Sequence, residues 1–279
     1  MRVTIFGATG MLGKALMRQW TGDEVTGLGS GQADIRSPDQ VDKVVSDSNP
    51  EWIVLSAAYT DVDGCEINPT LAAAVNTQGA ANVAKAAANS RAKLLFVSTD
   101  YVFDGKSNVP YEANDPRNPI NAYGKSKSDA EVKILGLTPD ACIVRTSWLF
   151  GPGGKCFPDT ILKLAASRPE IEVVNDQRGC PTYTFDLADA IIQLCHSDAK
   201  GIVHGTNRGV CTWYDFAAET LRQAGSKTTV RPTTSEKFVR PAPRPSYSVL
   251  SDASLSPYGI QMRAWQDTLP DYLRERSAA

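Results

Sequence analysis

Val3-Thr4-Ile5-Phe6 runs straight into Gly7-Ala8-Thr9-Gly10-Met11-Leu12-Gly13, a short apolar run followed by a turn that carries three glycines. Residues 12–20 then take up helical spacing, so the segment reads strand, tight turn, helix. The glycines have separate uses. Gly7 permits the turn, Gly10 lets the backbone approach a pyrophosphate, and Gly13 lets the helix pack on its strand. The free N–H groups at the helix start would face the phosphates. A glycine triplet alone is a weak signal, but placed directly after an apolar strand it meets the structural condition for dinucleotide binding.

Working outward, apolar residues run without alternation at 52–57 and 93–98, as in strands buried on both faces. Residues 71–89 are rich in alanine and suit a helix, 123–135 has helical character, and 141–146 returns to strand. This alternation predicts an α/β fold, a doubly wound parallel sheet of the Rossmann type. After residue 150 the texture changes at Gly151-Pro152-Gly153-Gly154. Helices are expected at 185–195 and at 212–224, the second with Thr212 as its N-cap. Four prolines and three arginines mark 231–245 as a loop. The expected organisation is a dinucleotide-binding domain over 1–150 and a smaller C-terminal substrate-binding lobe over 151–279, with about 183–206 returning to the first domain.

Composition narrows the function classes. The chain has 279 residues, 42% hydrophobic and 22% charged, with a formal net charge of -2. No block of like charge points to nucleic acid or a membrane surface. No apolar run approaches the roughly 18 residues of a membrane span, and the first residues lack the pattern of a secretory signal. A cytoplasmic protein is expected, its six scattered cysteines reduced. His196 and His204 lack metal-ligand spacing, so no metal site is expected. A homodimer is left open.

Tyr123-Gly124-Lys125-Ser126-Lys127 places a tyrosine and a lysine four residues apart, on one helix face. A nearby ammonium would lower the phenol's pKa and fit it for proton transfer near neutrality. The pair alone is weak, because such spacings arise by chance. Its position strengthens it. Leu94-Leu95-Phe96-Val97-Ser98-Thr99-Asp100 is a strand running into hydroxyl and acid residues. Ligands bind beyond the carboxyl ends of such strands, so Ser98 and Thr99 are expected near a reacting carbonyl. For the adenosine end, Gly27-Leu28-Gly29-Ser30-Gly31-Gln32 carries neither the acid that selects NAD nor an arginine for NADP. NADPH is weakly favoured and NADH remains admissible.

Glycine loop, Thr99, Tyr123 and Lys127 in this order resemble the extended short-chain dehydrogenase/reductases. Closer similarity is to the dTDP-4-dehydrorhamnose reductases. It is carried by 57–63, by Ser98-Thr99-Asp100-Tyr101-Val102-Phe103-Asp104-Gly105, by Arg145-Thr146-Ser147-Trp148, by 175–182 and by Arg244-Pro245. The resemblance implies an oxidoreductase of dTDP-rhamnose and polysaccharide biosynthesis that reduces the C4 ketone of dTDP-4-dehydrorhamnose with NAD(P)H. It implies Gly10, Met11 and Leu12 along the pyrophosphate, Asp34 and Ile35 at the adenine, and Ala58 and Thr60 on the cofactor's inner side. Tyr123 would protonate the sugar oxygen, helped by Thr99 and Lys127, with Asp100 and Trp148 on the substrate and Arg244 over its nucleotide. Related dehydratases carry Asp-Glu after the threonine. Here Tyr101 follows Asp100, which argues against elimination. Alternatives are another sugar-nucleotide 4-ketoreductase or epimerase, and a non-catalytic NADP-binding regulatory subunit.

Overall fold

A computed structural model describes residues 1–278. Six strands form one sheet: β1 (Arg2–Phe6), β2 (Glu24–Leu28), β3 (Trp52–Leu55), β4 (Lys93–Thr99), β5 (Cys142–Thr146) and β6 (Gly201–His204). Their spatial order is β6-β5-β4-β3-β1-β2, and every neighbouring pair is parallel. The fold is α/β and doubly wound. Chain direction across the sheet reverses between β1 and β3, and that switch opens a crevice beyond the strands' carboxyl ends.

The central strands carry apolar residues on both faces because helices cover both sides of the sheet. Val3 and Ile5 join Val54, Leu95 and Val144 under α1 (Met11–Gln19) and, later in the chain, Thr184–His196. Phe6, Ile53, Leu55 and Phe96 point the other way. They pack on α2 (Pro38–Ser48), α3 (Ala80–Ser90) and α4 (Ala122–Leu137). Side chains alternate across a strand, so a single apolar run supplies both cores.

Two expectations need correction. The helix predicted over 71–89 is not uniform: Pro69–Ala72 is α-helical, Ala73–Gly79 is a π-helix, and only then does α3 begin. The wide turn carries buried Asn76 and Thr77, which bond outside the helix. The loop predicted over 231–245 starts inside a strand, since Thr229–Thr233 pairs in parallel with Glu170–Val174. Pro232 is tolerated there because a two-stranded sheet has only edges. Behind this small sheet Ile171 and Val173 meet Ile161, Ala217 and Leu221 from helices Phe157–Ala165 and Trp213–Gln223. Thr212 caps the second helix in a reciprocal box with Asp215.

All six cysteines are free and buried. Among the described residues no helix is long and apolar enough to cross a membrane, and no cluster of metal-ligating side chains occurs.

Candidate active site

A cleft of about 770 Å³ runs along the carboxyl ends of β1, β3, β4 and β5. It brings together every predicted site residue except Arg244: Gly7, Gly10, Met11, Leu12, Gly13, Asp34, Ile35, Ala58, Thr60, Thr99, Asp100, Tyr123, Lys127 and Trp148 all line it. At one end the glycine loop turns into α1. Gly7 sits at φ +95°, and a Cβ on Gly13 would fall 2.1 Å from the Gly7 carbonyl, so neither position accepts another residue without movement. This close packing exposes the first backbone N–H groups of α1 to the cleft, as a phosphate cradle requires.

Beyond β2 the wall is formed by Ser30, Asp34, Ile35 and Arg36. Arg36, next to the expected Asp34 and Ile35, joins this wall without a sequence signal of its own. Its Nε and Nη2 donate to the Asp34 carboxylate at 2.6–3.0 Å, and this grip holds the Asp34 carboxyl below the usual carboxylate range. The one acid at this wall is therefore charge-compensated.

At the other end, three side chains converge from two elements. Thr99 closes β4, while Tyr123 and Lys127 stand one turn apart on α4. Asn121 caps that helix by accepting from Gly124 N at 2.8 Å. Gly124 lets the helix press on the Tyr101 turn, since a Cβ there would lie 2.0 Å from Tyr101 O. Lys127 is 2% exposed; its Nζ donates to Val97 O at 2.7 Å and lies 3.9 Å from the Phe96 ring centroid. Burial pushes its pKa down to about 7. The Tyr123 phenol is pushed well above its ordinary value by burial, and Thr99 is the neighbour that eases ionisation. The predicted lowering by Lys127 is not what the geometry gives, because the lysine is itself desolvated and turned to Val97. The phenol keeps its proton.

Ser98 also departs from expectation. It faces away from Thr99 and donates to buried Glu131 at 2.6 Å. Burial opposes ionisation of Glu131, but Arg145, the Ser98 hydroxyl and Arg117 outweigh it and hold its pKa down. The Ser98 hydroxyl is thus committed to a structural ion cluster beneath α4.

Trp148 forms the far wall at φ +46°, a left-handed backbone that a bulky residue rarely adopts. Its indole packs on Gly179, where a Cβ would come within 2.5 Å, and stacks on Trp213 with centroids 3.5 Å apart. Trp213 and Lys155 line the cleft from the C-terminal lobe, and neither carried a sequence signal. Arg244 lies outside the cleft. Its guanidinium pairs with Asp63 at 3.0 Å, and Asn121 Nδ2 donates to Pro243 O, so the 240–245 segment is strapped to α4 beside the cleft.

The family described as RmlD substrate binding domain matches residues 1–278. The spore coat polysaccharide biosynthesis protein SpsK of Bacillus subtilis is 42% identical over 100% of this chain and 99% of its own. A dTDP-4-dehydrorhamnose reductase of Mycolicibacterium smegmatis is 42% identical over 97% of this chain and 84% of its own. The crystal structure of dTDP-4-dehydrorhamnose reductase from Bacillus anthracis, in complex with NADP, aligns with a TM-score of 0.96 at 39% identity, covering 98% of this chain and 99% of that one. Similarity of this extent, over the strands, the cleft and the lobe together, makes the chain a member of the RmlD substrate binding domain family.

Proposed function

We propose that this chain reduces the C4 ketone of dTDP-4-dehydrorhamnose to dTDP-L-rhamnose, with NADPH preferred and NADH accepted. The observation that carries the reading is the convergence of Thr99, Tyr123 and Lys127 at one end of a cleft whose other end is a dinucleotide loop. The crevice at the sheet's switch point, with its glycine cradle, fits a nicotinamide dinucleotide. When bound, that cofactor supplies the hydride. The α1 N–H groups take the pyrophosphate, and the free N–H groups of Lys127 hold the nicotinamide ribose. Tyr123, still carrying its proton, delivers it to the C4 oxygen. Thr99 donates a hydrogen bond to the same oxygen as charge develops on it. Trp148 borders the sugar side of the cleft. Arg36 cancels the charge of Asp34, which supports acceptance of a 2′-phosphate.

The division of labour proposed is cofactor on 1–150 and sugar on the remainder, with Thr184–His196 and β6 serving the first domain. A cytoplasmic location agrees with six free thiols.

The test mixes the protein with NADPH, and separately NADH, plus dTDP-4-dehydrorhamnose, and follows reduced-nicotinamide absorbance. Consumption with both, faster with NADPH, is expected. Tight cofactor binding without consumption would overturn the reading in favour of a regulatory subunit. A screen of keto sugars in which this substrate ranked last would move the assignment to another 4-ketoreductase.

A further inference from the structure

Asp100 follows the strand-end threonine and is only 2% exposed. Its Oδ1 lies 3.0 Å from Thr99 Oγ1, while its Oδ2 is sealed from solvent and has no hydrogen-bond partner. Ser248, Thr99 and the backbone N–H groups of Asp100 and Tyr101 lie beside the carboxyl and favour its ionisation, but burial outweighs them and no hydrogen bond reaches Oδ2. The titratable groups that feel Asp100 are Tyr101 on its own turn, Tyr123 on α4 and Cys180 from the lobe, all of them uncharged near neutrality. Arg244 acts on Tyr101 and is itself paired with Asp63. Ionised, Asp100 would be eased only by these neighbouring dipoles, which burial outweighs, with no counter-ion against it and no hydrogen bond on Oδ2, which is a costly arrangement.

The Thr99 hydroxyl has one proton and two lone pairs. One lone pair accepts from Tyr101 N at 3.2 Å, and a second direction is taken by Asp100. What remains for the cleft depends on Asp100. If the carboxyl is ionised, Thr99 must donate to it, and only a lone pair faces the cleft. That lone pair cannot bond a ketone oxygen and instead competes for the Tyr123 proton. If the carboxyl is neutral, it donates to Thr99, and the Thr99 proton is free for the ketone.

We infer that Asp100 is a positioning residue that acts as a neutral acid, donating its proton to Thr99 Oγ1 and so turning the Thr99 hydroxyl proton toward the oxygen being reduced. The inference rests on the reductase reading above. Asp100 keeps its proton throughout the cycle, and no bond to it forms or breaks beyond this hydrogen bond. Burial pushes its carboxyl up to about 7, so the arrangement weakens as pH rises through neutrality. The loss of one donor to a developing oxyanion costs about 10²-fold in rate.

The experiment compares the pH profiles of kcat for keto-sugar reduction in the wild type, Asp100→Asn, Thr99→Val and the double variant. The asparagine amide donates to Thr99 at every pH. A wild-type fall of about 10²-fold through neutrality, much reduced in Asp100→Asn, is expected. In the Thr99→Val background, Asp100→Asn should leave the profile as it is. A purely structural role would shift rates equally at all pH and would not need Thr99. Infrared difference spectra of wild type minus Asp100→Asn, recorded on the NADPH complex, should show the carbonyl stretch of a protonated carboxylic acid below neutrality. If Asp100→Asn does not fold, wild type minus Thr99→Val should reveal the same band, displaced by loss of its acceptor. Only carboxylate bands below neutrality, or turnover with a profile that Asp100→Asn does not change, would overturn the inference and leave the reductase intact. An inactive wild type that still shows the acid band would instead sink the reductase reading.

Discussion

Tyr123→Phe removes one hydroxyl from a wall that Lys127 and Thr99 continue to shape. If Tyr123 is the proton donor, kcat falls by about 10²–10⁴-fold, while NADPH affinity, read by cofactor fluorescence, stays near wild type. A near-normal rate would remove Tyr123 from the mechanism. Trp213 makes a different case, because it stacks on Trp148 across the cleft from Tyr123 and Lys127. A stacked aromatic partner contributes about 1 kcal/mol beyond burial. Trp148 also sits in a backbone conformation that needs outside support. Trp213→Ala should raise the sugar KM by about tenfold with a smaller change in kcat, and should abolish the near-ultraviolet dichroism of the indole pair. Unchanged KM would show that the stack is scaffold only. These residues divide by legibility. Thr99, Tyr123 and Lys127 could be read because strand-end position and four-residue spacing are written in local order. Trp213 and Lys155 arrive from the lobe, and nothing near them in sequence marks their approach. Arg244 carries no local sign of its partner Asp63, which a distant element supplies.

Elements position Tyr123 and Lys127 as much as their side chains do. The π-helical turn Ala73–Gly79 stands between the cofactor wall and α4. Asn76 accepts from Tyr59 N at 2.7 Å and donates to Tyr59 O and to Ser126 Oγ, each at 3.0 Å. Thr77 donates to Ser126 O at 2.7 Å. The wider turn changes the direction in which these side chains leave the helix, and single π turns recur at functional sites. Asn76→Ala strands the Tyr59 backbone groups in a largely buried place, so chemical denaturation should report a loss of about 1–3 kcal/mol. Because Ala58 and Thr60 flank Tyr59 along the cleft, NADPH affinity should fall as well. Lost stability with intact affinity would confine the π turn to a structural role. The helix itself was legible from its alanines, but the π turn was not: hydrophobic periodicity reports which face is buried and not how many residues fill a turn. Likewise Thr229–Thr233 carries a proline that reads as loop, and only its edge position allows a strand.

At the scale of the whole molecule, two buried groups set opposing pH dependences. His204 on β6 is fully buried; its Nδ1 lies 3.2 Å from Ser251 O and its Nε2 has no partner. Burial, aided by Arg145, lowers its pKa from 6.5 to about 4. In that interval the unfolded chain binds a proton that the folded chain does not, so this contribution to stability is lost as pH falls. Asp100 works the other way. Its pKa rises from 3.8 to about 7, and across that interval the folded chain holds the extra proton, so its contribution is lost as pH rises. In the wild type the two slopes largely cancel between about pH 4 and 6.5. Asp100→Asn should expose the histidine slope, with stability relative to wild type climbing with pH by up to ~1.4 kcal/mol per unit. His204→Gln should expose the opposite slope over the same interval. Surface carboxylates titrate alike in all three proteins and drop out of the differences. Denaturation free energies measured at several pH values in that interval test this directly. Parallel curves for Asp100→Asn and wild type would mean that Asp100 ionises equally easily folded and unfolded, and its hydrogen bond to Thr99 would then be that of an ordinary carboxylate.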